Sequence, residues 1–244
     1  MAKGVYAALS GAVAAGVALD TTAQNLANAS TAGYQKLRPV FHEVMKQAGS
    51  QRDQQDKGNR FTASSGTVID LSPGVIRTTG RALDIALPQG AFMAVSTDRG
   101  ERYTRAGSMT VDPAGSLTVG GQKVVDDSGN PIQIDASSAQ DLSISEDGQL
   151  LQGGEPLARI KLVTFAEPRM LGPEGGTLFN ATQASGPATP TDGAVRVGEL
   201  EESNASPVTA MTELMTTTRL FDAFQRAIET FRDADRKVAS LPNS

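Results

Sequence analysis

Both ends of the chain carry small or apolar residues at alternating spacings of four and three positions, the heptad pattern of a helix that packs along one face. The N-terminal positions are Val5, Leu9, Ala12, Gly16, Leu19, Ala23 and Leu26. The C-terminal positions are Ala210, Leu214, Thr217, Phe221, Phe224, Ile228, Phe231, Asp235 and Val238. The pattern predicts one long helix at each end. We expect the second helix to begin at Pro207 after a Ser206 N-cap and to stop near residues 240–242.

Neither terminal helix is expected to be stable alone in water, and the first one is weakened further by Gly4, Gly11 and Gly16. The two helices can pair with each other, but apolar residues beside each seam, such as Val13 and Met215, leave surface that one partner does not cover. We therefore expect packing against other copies or relatives, with glycines marking close approach. The alternative is that both helices fold back onto the middle of the chain as core helices.

The apolar residues 4–19 are also compatible with a cleaved signal peptide. This interpretation is disfavoured because the heptad spacing continues through Asp20 to Leu26 without a change of phase. A membrane span is disfavoured because the apolar run is short and contains Ser10 and several glycines.

Between the helices, Asp, Asn and Gly clusters separate short apolar runs, which is typical of hairpin-connected β-strands. The predicted strands are 82–87, 92–97, 102–111, 117–119, 123–125, 132–134, 142–145 and 159–165. The fold class is therefore α+β, with N- and C-terminal long helices forming a coiled-coil-like core and an antiparallel β-rich middle domain. The predicted divisions are an N-terminal core helix in 1–33, a connecting segment in 34–65, the β-rich domain in 66–200 and a C-terminal core helix in 201–244. Polar stretches at 47–58 and 185–193 are interpreted as linkers or exposed loops.

The composition excludes several kinds of chemistry. The chain has no Cys and a single His, His42, and its net charge is −5 with a pI near 5.0. Disulfides, thiolate nucleophiles, cysteine zinc sites and multi-histidine metal sites are therefore excluded. The acidic balance disfavours a nucleic acid or an anionic membrane as partner, because both require a basic face.

Carboxylate chemistry is what this composition leaves open. Glu201 and Glu202 are adjacent, as are Asp126 and Asp127, so in extended chain the two carboxylates of each pair point to opposite faces. Asp112 and others like it lie in turn sequences. We predict no catalytic, cofactor-binding or metal-binding residue and therefore no enzyme, and we keep an exported β-rich glycan hydrolase as a less favoured alternative.

Five motifs follow one another along the chain. They are Leu9-Ser10-Gly11 together with residues 20–34 (DTTAQNLANASTAGY), residues 79–86 (TGRALDIA), residues 103–108 (YTRAGS), residues 202–204 (ESN) and residues 218–223 (TRLFDA). In this order, and over almost the whole chain, they resemble the bacterial flagellar axial proteins, the rod and hook family. The sequence departs from that family's usual pattern at Gln24, Ala32 and Ala91.

The resemblance implies a structural subunit of the basal-body rod in the periplasm, with terminal helices lining the rod and a β domain outside it. It implies export through the flagellar type III apparatus without signal cleavage, and partners that are other rod proteins and copies of the same chain. The short segment between Tyr34 and Thr79, with its lead-in at residues 70–74, is most similar to the proximal rod proteins. The distal rod proteins are the alternative.

The residues predicted to carry assembly come from both ends of the chain. They are Leu9, Leu19, Asn25, Leu26, Asn28, Thr31, Gly33, Tyr34, Leu214, Phe221, Phe224, Ile228 and Phe231. For Asn25, Asn28, Thr31 and Gly33, closing the first helix is an alternative to contact with a neighbour. For Tyr34, a simple core position is the alternative. A coiled-coil adaptor with an unrelated partner is the remaining alternative for the protein as a whole.

Overall fold

The computed structural model describes residues 2–45, 60–134 and 142–239. Its two helices are α1 (Ala2–Ala27) and α2 (Pro207–Ala239), which confirms the prediction of one long helix at each end. Helix α2 begins at Pro207, directly after Ser206, as the sequence predicts. The predicted stop at 240–242 and the predicted linker at 47–58 lie outside the described residues.

Among the residues that the structure describes, the remaining regular structure is made of strands and one 3-10 turn at Pro168–Met170. The strands are β1 (Leu37–Met45), β2 (Arg60–Ile69), β3 (Ile76–Thr78), β4 (Ile85–Ala86), β5 (Phe92–Thr97), β6 (Gly100–Thr104), β7 (Met109–Val111), β8 (Leu117–Val119), β9 (Gln122–Val124), β10 (Leu142–Ile144), β11 (Gln149–Gln152), β12 (Glu155–Arg159), β13 (Leu162–Thr164), β14 (Gly172–Pro173), β15 (Leu178–Asn180), β16 (Thr189–Pro190), β17 (Arg196–Val197) and β18 (Glu199–Glu201). Strands β1 and β2 form a two-stranded sheet. His42 lies in β1.

The middle of the chain consists of antiparallel sheets, as predicted. The largest sheet has the order β14-β15-β6-β5-β9-β8-β7, with β13 pairing both β5 and β16. Strands β10, β11 and β12 form a second sheet, and two small sheets pair β17 with β4 and β18 with β3. The last two pairings bring residues just before α2 beside residues that precede the large sheet.

Four predicted strands differ from the observed ones, and the predicted strand 159–165 is one of them, because β13 covers only Leu162–Thr164. The predicted strand 102–111 is broken between Thr104 and Met109, and the predicted strand 82–87 is reduced to Ile85–Ala86. At the break, the Ile85 amide donates to the Gly107 carbonyl, and a Cβ on Gly107 would lie 1.7 Å from the Ile85 carbonyl oxygen, so only glycine fits at this position. Residues 132–134 contribute isolated bridges instead of a strand. The predicted loop 185–193 contains strand β16.

The chain forms two compact units. One unit contains α1 to Leu26, strand β1, strand β2 to Thr67 and α2 from Val208. The other contains Ala27–Lys36 and Val68–Pro207, and therefore all the strands from β3 to β18. Its core is an apolar cluster that includes Met93, Met109 and Leu150, each fully buried.

Helix α1 is long and rich in apolar residues. Its residues Gly4–Ala27 are long and apolar enough, by length and composition alone, to cross a membrane, because an 18-residue window within them has a mean hydropathy of 1.3. The expectation that this run is too short is therefore not met. Core helices of soluble proteins and signal sequences meet the same criterion, so this property alone does not choose among them.

Candidate functional site

Helices α1 and α2 contact each other through aromatic rings of α2 that lie over glycines of α1. A Cβ built on Gly11 would lie 2.4 Å from Cε1 of Phe224, and one built on Gly4 would lie 2.9 Å from Cζ of Phe231. At Gly16 the nearest atom, Cε2 of Phe221, is 3.8 Å away. Because residue numbers rise along α1 as they fall along α2, the two helices run antiparallel. Gly4 and Gly11 therefore mark a close approach of the helices, as expected for Gly11, whereas Gly16 is only in ordinary van der Waals contact.

The predicted seam of α2 matches the face that is partly covered in the structure. Ala210 is buried, and its partly buried seam residues are Leu214, Thr217, Phe221, Phe224, Ile228 and Phe231. Beyond Phe231 the face drifts, so that Ala234 is partly covered and Asp235 is exposed. This drift is expected of a straight helix with 3.6 residues per turn.

The buried face of α1 is rotated from the predicted seam. Ala8, Ala12 and Ala15 are buried, whereas the predicted seam residue Leu9 is 48% exposed. The smallest side chains mark the side that the Phe rings approach, because a larger side chain there would collide with them. The sequence pattern placed Leu9 on the seam. The predicted seam is therefore rotated by about one residue from the face that is buried in the structure.

Asn25 has a role that neither sequence interpretation included. Its side chain is buried, donates from Nδ2 to the Leu37 carbonyl oxygen at 2.8 Å and accepts at Oδ1 from the Leu37 amide at 2.9 Å. These two hydrogen bonds connect α1 to Leu37, the first residue of β1. Asn28 and Thr31 lie in the turns after Ala27, where the Thr31 amide donates to the Asn28 carbonyl at 3.0 Å.

Gly33 and Tyr34 belong to the β-rich unit and are both buried. Gly33 has a φ of +71°, and a Cβ on it would lie 2.3 Å from the Ala106 amide nitrogen. Its amide donates to the Glu201 carbonyl at 2.7 Å. Tyr34 is 1% exposed, and burial raises its pKa to about 12, so the neutral phenol occupies a core position.

Glu201 lies at the centre of a buried polar cluster in the same unit. Its Oε2 accepts from Nη2 and Nε of Arg105 at 2.5 and 3.0 Å, and its Oε1 accepts from Gln35 Nε2 and from the Gly74 amide, both at 3.1 Å. The Arg105 and Glu201 side chains are 7% and 2% exposed. Such a pair is tolerated in the interior only when its remaining donors and acceptors are satisfied. Arg105 meets this condition by donating to the Ala91 carbonyl at 2.7 Å.

Asn204 extends this cluster to the segment before β3. Its Nδ2 donates to the carbonyl oxygens of Asp70 and Ser72 at 2.7 and 2.8 Å, and to Gln35 Oε1 at 3.3 Å. Its Oδ1 accepts from the Lys36 amide at 2.6 Å. We call Gln35, Arg105, Glu201 and Asn204 the Glu201 cluster. These side chains hold together segments that are up to 169 positions apart.

Sequence reasoning did not select three members of the Glu201 cluster. Arg105 and Asn204 stand within motifs that carry the family resemblance, and Gln35 directly follows another, so the signal was present in the motifs but not in periodicity. Glu201 and Glu202 do point apart, as predicted. The Glu202 side chain is 47% exposed, and its Oε1 pairs with Nε of Arg77 at 2.8 Å.

The carboxylates in predicted turns do accept local hydrogen bonds. Asp112 Oδ1 accepts from the amides of Ala114 and Ser116 at 2.9 and 2.7 Å. Asp126 Oδ1 accepts in the same way from Ser128 and Asn130 at 2.9 and 2.8 Å. A hydrogen bond from the Ser145 hydroxyl holds the pKa of Asp147 below its usual value. Within the described residues, no group of three or more His, Asp or Glu side chains is placed to hold a metal ion.

The predicted assembly residues fall into three groups by exposure. Leu9 is 48% exposed; Leu19, Leu26, Asn28, Thr31, Leu214, Phe221, Phe224, Ile228 and Phe231 are partly buried; Asn25, Gly33 and Tyr34 are buried. The structure brings Phe221, Phe224 and Phe231 against α1, places Ile228 in a groove that α1 also lines, and places Gly33 and Tyr34 inside the β-rich unit.

Three family models match the chain, in the order of its elements. Residues 5–35 match the model described as "Flagella basal body rod protein", which covers most of α1 and the turns after it. Residues 87–152 match "Flagellar hook protein FlgE/F/G D1 domain", within the β-rich unit. Residues 196–241 match "Flagellar basal body rod FlgEFG protein C-terminal", which includes α2 and Glu201.

Relatives align over most of the chain. The flagellar basal-body rod protein FlgF of Escherichia coli is 34% identical over 226 residues, 87% of each chain. FlgF of Caulobacter vibrioides is 29% identical over 98% of this chain and 97% of its own. FlgG of Bacillus subtilis is 30% identical over 99% of both chains. FlgF is slightly favoured over FlgG among these relatives. The chain belongs to the flagellar basal-body rod proteins and is a structural subunit of the basal-body rod.

Proposed function

We propose that this chain is a subunit of the proximal rod, which assembles helically with copies of itself and with neighbouring rod proteins into the shaft that transmits torque. The observation that carries the proposal is the apolar surface left open on the paired helices. Tyr6 and Val13 on α1 are each 56% exposed, and Met211 and Met215 on α2 are 51% and 64% exposed. Val13 also lines one apolar groove with Leu9, Phe221 and Ile228, and contiguous apolar surface of this kind is typical of a protein interaction site.

We also propose that the helix pair is the coiled-coil-like core of the assembled rod. The ring contacts at Gly4 and Gly11 are seven residues apart on α1, as are Phe231 and Phe224 on α2, which supports a heptad repeat. The assembly residues on the helices are then Leu9, Leu19, Leu26, Leu214, Phe221, Phe224, Ile228 and Phe231. Asn25, Asn28, Thr31, Gly33 and Tyr34 complete the proposed set by fixing the chain that follows α1.

The proposal includes transit through the flagellar type III export apparatus and no catalytic activity. An aqueous, disulfide-forming space favours a chain without thiols. The adjacent carboxylates Glu201 and Glu202 are committed to Arg105 and Arg77, which leaves neither free for glycan hydrolysis. Release of soluble fragments from peptidoglycan incubated with the purified protein would contradict this part of the proposal.

The location is tested by a cryo-EM map of intact basal bodies from the source organism, in which this chain is identified by its side chains. We expect its density in the proximal rod, and we expect a strain without the chain to lack the distal rod and motility. Deleting residues 1–30 should abolish rod incorporation, whereas an adaptor that binds an unrelated partner would still co-assemble. A chain found outside the rod would contradict the proposal.

A distal rod position is the second candidate. It is favoured by the alignment with the Bacillus subtilis FlgG, which spans 99% of both chains. The same map distinguishes the two positions, because density in the distal rod would replace the proximal assignment.

A further inference from the structure

The paired helices form an apolar groove on one side. It has a volume of about 420 Å³, and its floor and walls include Leu9, Val13 and Gly16 of α1 with Phe221 and Ile228 of α2. Gln225, Glu229 and Arg232 stand along its α2 edge. The apolar stretch of α1 runs from Leu9 to Gly16, about 11 Å at 1.5 Å per residue.

The same chain carries a short apolar ridge elsewhere on α2. Val208, Met211 and Met215 are 75%, 51% and 64% exposed, and their spacing of three and four places them on one line of the helix. At 100° per residue this line lies on the side of α2 away from Phe221 and Phe224. The ridge is also about 11 Å long, and methionine side chains adapt well to irregular grooves.

Charges extend the match between ridge and groove. Arg219 and Asp222 continue the line of the ridge by further steps of four and three, and both are exposed. The groove edge carries one charge of each sign, Glu229 and Arg232, also exposed. Within the part of the chain that the structure describes, none of these four side chains forms an ion pair. A ridge lying in the groove can therefore set Arg219 against Glu229 and Asp222 against Arg232.

We propose that the Val208-Met211-Met215 ridge of one copy docks into the Leu9-Val13-Gly16 groove of a second copy of this chain. The inference deepens the proposed function, on which it rests, by naming the partner and the contact. Because groove and ridge are different surfaces, the contact is head-to-tail and generates an open helical assembly unless the rotation closes. The pairing of Arg219 with Glu229 and of Asp222 with Arg232 corresponds to a shift of ten residues along α2, so each copy is displaced by about 15 Å from the next.

The test uses cysteine cross-linking, which is clean because the chain has no Cys. Full-length Val13→Cys and Met211→Cys proteins are mixed at a concentration where the wild type self-associates, and then oxidised. We expect the mixed disulfide to form at least tenfold more than in the control mixture of Val13→Cys with Leu220→Cys, a residue that is 50% exposed but off the ridge. Equal yields in the two mixtures, or a predominant Val13→Cys homodimer, would overturn the proposal.

Charge reversal supplies a second test that does not depend on disulfide geometry. Arg219→Glu should weaken self-association about tenfold, and adding Glu229→Arg in the same chain should restore it. Failure of the second change to restore association overturns the pairing. If the chain is found in the rod but these tests fail, the ridge and groove contact is wrong while the proposed function stands. If these tests succeed but the chain lies outside the rod, the contact between ridge and groove stands while the proposed function is wrong.

Discussion

Gly33 and Gly80 share a φ of +71° but differ in what surrounds them. A Cβ on Gly33 would lie 2.3 Å from the Ala106 amide nitrogen, whereas one on Gly80 would meet nothing within 4 Å. Both positions favour glycine for conformational reasons, since other L-residues pay about 1–2 kcal/mol in the left-handed region. Only Gly33 has in addition a steric reason, because backbone atoms cannot rotate away as a side chain does.

We therefore expect Gly33→Ala to destabilise the protein by at least about 3 kcal/mol and Gly80→Ala by about 1 kcal/mol. Urea unfolding of the two full-length variants, followed by circular dichroism, measures the difference. Because the backbone angle is the same, Gly80→Ala is a matched control for the conformational part. Equal changes in the free energy of unfolding would show that the contact with Ala106 does not matter.

The sequence shows single-residue roles only where the signal is local. The turn role of Asp112 follows from its neighbours, because an Asp accepts hydrogen bonds from amides two and four positions ahead. The opposite directions of Glu201 and Glu202 follow from the geometry of extended chain. The partner of Asn25 does not follow, since Leu37 is 12 positions away and the chain between them changes direction.

Among the elements, α2 was predictable because its seam consists of bulky residues that must be covered. The seam of α1 was predicted with the wrong rotation because its covered side is made of Gly and Ala. Hydrophobic periodicity gives most weight to large side chains, and here the large ones, Leu9 and Val13, are exposed while Ala8 and Ala15 are buried. To place the seam of α1 correctly, one would have to know that the Phe rings of α2 face it, because those rings leave room only for Gly and Ala.

Two glycines of α1 allow this explanation to be tested. Gly16→Ala should stabilise the helix by about 0.5–1 kcal/mol through its better helix propensity, because its Cβ would lie 3.8 Å from Phe221. Gly11→Ala gains the same propensity but forces the Phe224 ring to move, and overpacking costs about 1–3 kcal/mol. We expect Gly11→Ala to lower the thermal midpoint of the helical signal and Gly16→Ala to raise it. A gain in both variants would mean that the ring contact has no energetic weight.

At the scale of the whole molecule, the β-rich unit is discontinuous in sequence. It takes Ala27–Lys36 from the N-terminal part of the chain and extends to Pro207, and the Glu201 cluster holds these segments together. The sequence predicted the α+β class, both helices and, in whole or in part, eight of the eighteen described strands, because each depends on local patterns. The cluster could not be predicted in the same way, since its donors and acceptors meet only in the folded chain.

Removing the charge of Glu201 tests how strongly the unit depends on this cluster. Glu201→Gln leaves the buried Arg105 without a counter-charge and should cost about 3 kcal/mol or more. The neighbouring Glu202→Gln removes only an exposed partner of Arg77 and should change stability by less than about 1 kcal/mol. Hydrogen exchange should report faster opening at the Gly33 and Gly74 amides in Glu201→Gln alone. Unchanged protection there would show that the cluster does not hold the segments together.

The rings of α2 that lie over glycines also determine how the two helices can slip. A slide of one turn, about 5.4 Å, would carry the Phe224 ring from Gly11 onto Ala8 or Ala15, whose methyl groups occupy the space that the glycine leaves open. Phe231 loses its place over Gly4 in the same movement. The ring contacts therefore resist sliding of one helix along the other. Under a load along or around the helix axis, the two helices move together before their register changes.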